Sequence, residues 1–283
     1  MLCLQAQRVE AVLMTISIGV VRDWVRSIAR DELLPRFART ESRFKKDGSV
    51  VTEADFAVQR QVGQVLATLT PGIPLLGEEM SASEQQDLFA NNRHGLWCLD
   101  PLDGTSNFVS GIPFVSVSLA LLGPEGPTLG VVYDPLRDEC FSAVAGQGAW
   151  LNGARLASAP CRLPLSRCIA IVDTKRLGAH AAEVLADPPY RSQRSFGSGA
   201  LEWCWLAVRR GQIYLHGRQN LWDYAAGWLI LRESGGWASS FDGQVTFAED
   251  IAPRSVVAAS DALLYGEIWQ WLQSHAPRLL DGR

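Results

Sequence analysis

Several acidic residues close apolar runs in this chain. "LLGEE" ends one run in Glu78 and Glu79, "LWCLD" ends another in Asp100, with Asp103 just beyond, and "LWD" sets Asp223 at the head of a later helix. The carboxyl ends of strands are where open α/β sheets place groups that touch ligands. If these carboxylates converge, they cannot all stay ionised unaided. Two like charges at about 4 Å repel by roughly 4 kcal/mol at an effective dielectric near 20. The set must therefore take up protons or hold cations. Oxygen donors with no His or Cys beside them select hard ions, which here means Mg²⁺ or Mn²⁺. Singly, each acid reads as a cap or a turn, and Asp223 ahead of "YAAGWLILRE" would make a good N-cap. Only the set argues for metal.

The stretch "WCLDPLDGTSNF", residues 97–108, sharpens that expectation. Pro101 stiffens the turn so that Asp100, Asp103 and the Leu102 carbonyl can face one ion. Gly104 permits close backbone approach, and "GTSNF" is expected to open a short helix. Its free N–H groups and the Thr105 hydroxyl suit a phosphate. Acids for a metal beside a donor nest for an anion are what metal-assisted phosphate-ester hydrolysis requires. The chain holds its own controls: Asp-Pro-Leu recurs at Asp134 and Asp-Gly at Asp242. Both copies sit between short β-like runs and read as hairpin loops.

Length and composition are consistent with an enzyme of this kind. A chain of 283 residues with 47% hydrophobic content can bury a large core. A net charge of −4 gives no electrostatic case for nucleic acid or an anionic membrane. The six cysteines lack CxxC spacing and sit mostly among apolar neighbours, which reads as free thiols in a reducing, cytoplasmic compartment. "AVLMTISIGVV" is too short to span a bilayer, and no small-residue cleavage site follows it. Val21, Trp24, Val25 and Ile28 continue at helical spacing, so an amphipathic helix is expected there.

Thr52 followed by Asp55 has the form of a capping box opening a helix of roughly four turns. "IPLLG" and "LWCLD" read as buried strands, and residues 114–156 as a β-meander. After about Pro160 strands and helices alternate, giving an α/β half after an α+β half. The expected division is an N-terminal lobe, 1–160, with most of the candidate ligands, and a C-terminal lobe, 161–283, with Asp223 and the substrate-side loops.

The blocks "DGSVVTEADFAV", "LLGEEM", "WCLDPLDGTSNFVSGIPFVSVSLALL", "GVVYDPLRDECFSAVAGQGAWLNG", "RSFGSGALEWCWLAVRRGQIYL" and "LWDYAAGWLILRESGG" together resemble the inositol monophosphatase family, lithium-sensitive phosphomonoesterases that use magnesium. The resemblance covers nearly the whole chain. It implies a layered αβαβα sandwich, usually a homodimer, holding two or three Mg²⁺ ions with Mn²⁺ able to substitute. Carried over by position, Glu78, Asp100, the Leu102 carbonyl, Asp103 and Asp223 match the metal ligands. Glu79 matches a residue that supports the site through water. Asp55 and Thr105 match the pair that orients and activates the nucleophilic water, and Gly104 and Thr105 match the phosphate cradle. The implied reaction is direct attack of a metal-activated water on phosphorus, with no phospho-enzyme.

Substrate choice is less defined. Where relatives that act on inositol phosphates usually carry a hydroxyl-accepting glutamate, this chain has His216. That residue reads equally as a substrate contact or as a polar strand end. Arg218 either meets a second phosphate or faces water. Ser198 and Ala200 resemble the segment bordering the substrate. Inositol monophosphate is the default substrate, with 3′-phosphoadenosine 5′-phosphate or another sugar phosphate as alternatives. A regulatory binding protein that retains the phosphatase fold is the reading from a different class.

Overall fold

The computed structural model describes residues 16–44, 50–92, 95–157, 160–161, 163–244 and 250–280. Residues of the expected N-terminal helix before Ile16 lie outside them. The helix itself, α1 (Ile18–Leu33), starts at Ser17, whose side chain accepts from the Val20 backbone N–H. Its buried stripe of Val21, Val25, Ile28, Ala29 and Leu33 follows the 3.6-residue period. Each of the larger members contributes about 1.5–3 kcal/mol by leaving water. Helix α2 (Glu53–Leu69) opens with the capping box read at Thr52 and Asp55.

The central element of the first half is a seven-stranded sheet in strict sequence order. After the small pair β1 (Ser42–Phe44) and β2 (Val50–Thr52), its strands are β3 (Leu75–Gly77), β4 (Leu96–Asp103), β5 (Ser116–Gly123), β6 (Gly126–Asp134), β7 (Glu139–Val144), β8 (Gly148–Leu151) and β9 (Ala154–Arg155). Only β3 and β4 pair in parallel; the others form the antiparallel meander expected from residues 114–156. Every residue of β4 and β5 is buried, so both faces of these strands are covered. Helix α3 (Ala82–Asn92) and the short α4 (Thr105–Ser110) flank β4 in the chain.

The second half forms a five-stranded mixed sheet of order β11-β10-β12-β14-β13. Its members are β10 (Ile169–Asp173), β11 (Ser192–Arg194), β12 (Ile213–Gln219), β13 (Trp237–Ser239) and β14 (Arg254–Ala259). Strands β11, β10 and β12 run parallel, and β14 joins β12 antiparallel. The helices here are α5 (Thr174–Leu177), α6 (Ala181–Ala186), α7 (Gly199–Ala207), α8 (Leu221–Glu233), α9 (Ala262–His275) and α10 (Pro277–Leu280).

These elements stack as an αβαβα sandwich. Helices α1 and α2 cover one face of the large sheet through Val21, Val58, Trp97 and Leu119. Helices α7 and α8 fill the space between the sheets, with Trp203, Ala226 and Leu229 packed among Cys98, Val132, Tyr214 and Val256. Helix α9 closes the far face through Leu264, Ile268 and Leu272. The middle layer fits only with small residues at the crossings. A Cβ at Gly227 would strike Trp203, and one at Gly130 would come within 3.0 Å of the Ala226 backbone. Among the described residues no helix is long and apolar enough to cross a membrane.

Candidate active site

The acids singled out in the sequence are delivered by strand ends and helix starts that meet at one edge of the large sheet. Strand β3 ends at Gly77, and Glu78 continues its line, its N–H donating to the Leu99 carbonyl at 3.1 Å. The Gln85 amide holds the carbonyls of Gly77 and Glu78 at 2.9 and 3.1 Å. Gln59 accepts from the Glu79 N–H. In β4 the pairing with β5 shifts register between Asp100 and Asp103. Such an irregularity re-aims side chains that regular pleating would send to opposite faces. Asp100 Oδ1 then accepts from the Leu102 N–H at 3.0 Å.

Asp103 is locked by the second half of the molecule. Its Oδ2 accepts from the Ser198 hydroxyl and the Ala200 N–H, each at 2.7 Å. Ser198 and Ala200, expected to border substrate, are therefore both buried and both hold this carboxylate. Asp223 is not the N-cap of α8. Asn220 takes that position because the helix begins earlier, at Leu221, and Asp223 accepts from the Asn220 N–H at 2.9 Å. Asp55 stands at the same place in α2, its Oδ2 accepting from the Thr52 N–H at 2.8 Å and the Thr52 hydroxyl at 2.7 Å. Two of the site's acids thus sit in the first turn of a helix, where the dipole favours negative charge.

The electrostatics show how closely these groups share one region. Burial drives the Asp100 and Asp223 carboxyls well above the usual carboxylate range. Glu78 and Asp103 add repulsion at both of them. Burial also lifts Asp103 to about 6, against the donors from Ser198 and Ala200. Asp55 rises to about 7 for the same first reason, with Glu79 and Glu78 adding to it. Asp55 Oδ1 is buried with no hydrogen-bond partner among the described residues. These donors are grouped rather than closed round a point: among the described residues no trio of acidic, His or Cys side chains stands as a ready ion cage. An oxygen-only donor set, raised carboxylates and an orphaned buried oxygen together fit a hard divalent cation.

Asp103 is followed directly by the Gly104 turn that the resemblance matches to the phosphate cradle. Gly104 adopts φ +88° and leads into α4; a Cβ there would sit 3.0 Å from the Phe114 carbonyl and 3.2 Å from that of Gly197. The Thr105 hydroxyl donates to the Leu102 carbonyl at 3.0 Å. The first N–H groups of α4 have no acceptor within the helix.

Two positioning residues carry no signal that single-sequence reading detects. Asn107 donates to the carbonyls of Phe114 at 2.9 Å and Phe196 at 2.6 Å. Glu202, fully inside α7, accepts from the N–H groups of Phe196 at 2.8 Å and Gly197 at 3.1 Å. Burial lifts its carboxyl to about 7. Together they clamp the 196–198 segment that holds Asp103. Only the fold brings Asn107, 89 positions from Phe196 in sequence, to that loop.

His216 and Arg218 lie near the end of β12. His216 is buried, with Nδ1 accepting from the Arg218 N–H at 3.1 Å and Nε2 3.4 Å from Asp173 Oδ2. Arg218 is exposed.

Asp55, Asp100 and Asp103 are buried, and Asp223, Glu78 and Glu79 are half-buried near them, in a layered α/β fold. The model of the inositol monophosphatase family matches residues 10–276. The chain belongs to that family, whose members are phosphomonoesterases, and it is an enzyme of that class. It is 38% identical over 194 residues to inositol monophosphatase 1 of Solanum lycopersicum, covering 66% of this chain and 70% of that one. It is 36% identical over 208 residues to Nus factor SuhB of Haemophilus influenzae, covering 71% and 76%. Among solved structures it resembles the Thermotoga maritima IMPase, with TM-score 0.77, 26% identity, and 92% and 98% of the two chains covered. Mg²⁺ and phosphate are bound in an IMPase/NADP phosphatase that shares the fold at 23% identity, TM-score 0.73, and 88% and 93% coverage. A staphylococcal inositol monophosphatase at 22% identity, TM-score 0.77, and 91% and 94% coverage was soaked in LiCl as an inhibitory complex.

Proposed function

We propose that this protein hydrolyses a small phosphate monoester of the inositol monophosphate kind, with Mg²⁺, releasing inorganic phosphate. The observation that carries the reading is the group of buried, raised carboxylates with the orphaned Asp55 oxygen among them. Glu78, Asp100, the Leu102 carbonyl, Asp103 and Asp223 would hold the ions. When bound, they supply Lewis-acid neutralisation of the phosphate charge. The chain itself does the positioning. Asp55, its Oδ2 fixed by Thr52, has Oδ1 left to take a proton from the attacking water. Thr105, tied to Leu102, orients that water. Gly104 and the first turn of α4 receive the phosphate oxygens, and Glu79 supports the set. Bond making and breaking then run in line, with positioning and charge neutralisation supplying most of the acceleration.

The described cysteines are all free thiols, which supports a reducing cytoplasmic setting, and a homodimer is the assembly we propose. The test is phosphate release from D-myo-inositol 1-phosphate with Mg²⁺, with and without Li⁺, against Asp100→Asn as blank. Activity above the blank that Li⁺ suppresses is expected; none, across phosphomonoesters generally, would end the reading. The relative named Nus factor SuhB favours a second reading, in which a protein partner is bound. A stoichiometric partner captured equally by wild type and Asp223→Asn would support it.

A further inference from the structure

Between the two sheets runs a buried polar chain that the proposed reaction does not use. Strand β12 shifts register against β14 between His216 and Gln219, and the Gln219 side chain is buried there. Its Oε1 accepts from Trp203 Nε1 at 3.0 Å, and its Nε2 donates to the Tyr214 hydroxyl at 2.7 Å. The Tyr214 hydroxyl in turn stabilises the Glu202 carboxylate, which holds the N–H groups of Phe196 and Gly197. Trp203, Tyr214 and Glu202 are buried as well. An indole N–H only donates and an ionised carboxylate only accepts. Glutamine, with one acceptor and one donor end, is the side chain that joins the two.

The Gln219 amide lies directly on the segment that holds Asp103. A Cβ at Gly199 would sit 2.6 Å from Gln219 Nε2, and 3.7 Å from both the Tyr214 hydroxyl oxygen and Asp223 Cβ. Gly199 stands between Ser198 and Ala200, the two donors to Asp103 Oδ2. In the other direction Gln219 is followed by Asn220, whose N–H donates to Asp223 Oδ2 at 2.9 Å. One side chain therefore touches the support of both carboxylates. Packing alone does not call for an amide here. A buried amide is costly to desolvate, and an apolar side chain of similar shape can replace a hydrogen-bonded one at little cost when its partners go too. What the amide adds is a fixed direction.

We propose that Gln219 is a positioning residue that sets the spacing of Asp103 and Asp223, its amide acting as a spacer between residues 198–200 and the start of α8. The inference rests on the reading of those two carboxylates as cation ligands and adds a residue that acts through them. Mg²⁺ demands near-ideal octahedral geometry, so its affinity is sensitive to such spacing.

Calorimetric titration of Mg²⁺ into EDTA-stripped protein tests it, with the Mg²⁺ dependence of phosphate release measured alongside. Gln219→Leu should weaken Mg²⁺ binding about tenfold, a usual cost of losing a group that orients a metal ligand. The Mg²⁺ concentration giving half-maximal rate should rise in step, while KM for the phosphomonoester at saturating Mg²⁺ stays within about twofold. Gly199→Ala, which presses a methyl group on the amide, should cause a like loss, and the double variant should lose no more than either alone. Leu229→Ala, in the same layer but outside the chain of hydrogen bonds, should lower the melting point and leave Mg²⁺ affinity unchanged. Tyr214→Phe, the milder change if Gln219→Leu does not fold, should weaken binding by a smaller factor. Wild-type protein that binds no Mg²⁺ would overturn the cation reading itself. Wild-type affinity in Gln219→Leu and Tyr214→Phe, losses in Gln219→Leu and Gly199→Ala that add, or an equal loss in Leu229→Ala would overturn this inference alone.

Discussion

Asp-Pro-Leu occurs twice, and the two copies fold alike but meet opposite fates. In both, the aspartate Oδ1 accepts from the N–H two residues on, at 3.0 Å from Leu102 and 2.9 Å from Leu136. Both aspartates are buried in strands of the large sheet, Asp134 at the end of β6 and Asp100 three residues before the end of β4. The difference is the fourth residue. At Asp134 it is Arg137, whose Nη1 reaches Asp134 Oδ2 at 2.7 Å and whose guanidinium stacks over Phe114 and Trp205. At Asp100 it is Asp103, a second acid, with Glu78 and Asp223 close enough to raise the Asp100 carboxyl further. One turn carries its own cation and closes a hairpin; the other gathers acids whose charge protons or a cation from outside must balance. The same backbone device is thus structural in one place and, in the function proposed above, a site in the other.

Removing the charge from each turn probes this contrast most strongly. Asp100→Asn should lower kcat/KM by about a thousandfold or more, in line with loss of several kcal/mol of transition-state stabilisation. The same variant, stripped with EDTA, should melt higher than wild type, since it no longer has to protonate or bury the charge of a carboxylate at neutral pH. An Asp100→Asn enzyme that keeps near-normal activity would remove the distinction between the turns.

Glu202→Gln comes next. It keeps one acceptor oxygen for the 196–198 segment and loses the charge. We expect roughly a tenfold fall in kcat/KM, the cost of about one charge-assisted hydrogen bond. A pH readout separates positioning from general damage: the EDTA-stripped variant should show a weaker dependence of stability on pH between about 5 and 7.

Asp134→Asn should do the reverse of Asp100→Asn. Its loss leaves Arg137, itself one-third exposed, without its partner. Partial solvation limits the cost to about 1–2 kcal/mol by denaturant titration, and kcat/KM should stay within about threefold.

The smallest effect is on pH. The site's acids have folded values above their unfolded ones, with Asp103 at about 6, Asp55 and Glu202 at about 7, and Asp100 and Asp223 well above the usual range. The native state therefore binds more protons than the unfolded one from about pH 4 upward, and stability falls as pH rises through that window. EDTA-stripped protein should melt several degrees lower at pH 8 than at pH 6. A melting point that rises with pH would mean that the carboxylates are balanced from within.

Much of this was legible from residue types and spacing. Alternating and continuous apolar runs revealed β4 to β8, and the Thr52–Asp55 box marked the start of α2 to the residue. The site acids stood out because strand ends and carboxylates coincided. Pairwise geometry was not legible. Asp55 and Thr105, matched to the pair that orients the attacking water, each bond a near neighbour in the chain, Thr52 and Leu102, through local cap and turn geometries. Glu202 and Asn107 look like ordinary helix residues until the fold sets them against Phe196. The short β11 and β13 lack periodicity of their own and exist because β10 and β14 offer them an edge. His216 was open between a substrate contact and a polar strand end, and only the register that sets it opposite Asp173 turns its ring inward.

Whether the Asp100 turn gathers charge for an outside cation is decided by a thermal melt with added Mg²⁺ at pH 8, on EDTA-stripped wild type and Asp100→Asn side by side. At about a hundredfold excess over Kd, binding to the native state contributes roughly 2.7 kcal/mol, a rise of several degrees for a chain of this length. We expect that rise in wild type and little or none in Asp100→Asn. Equal shifts in the two proteins, or no shift in either, would contradict a cation held by these carboxylates.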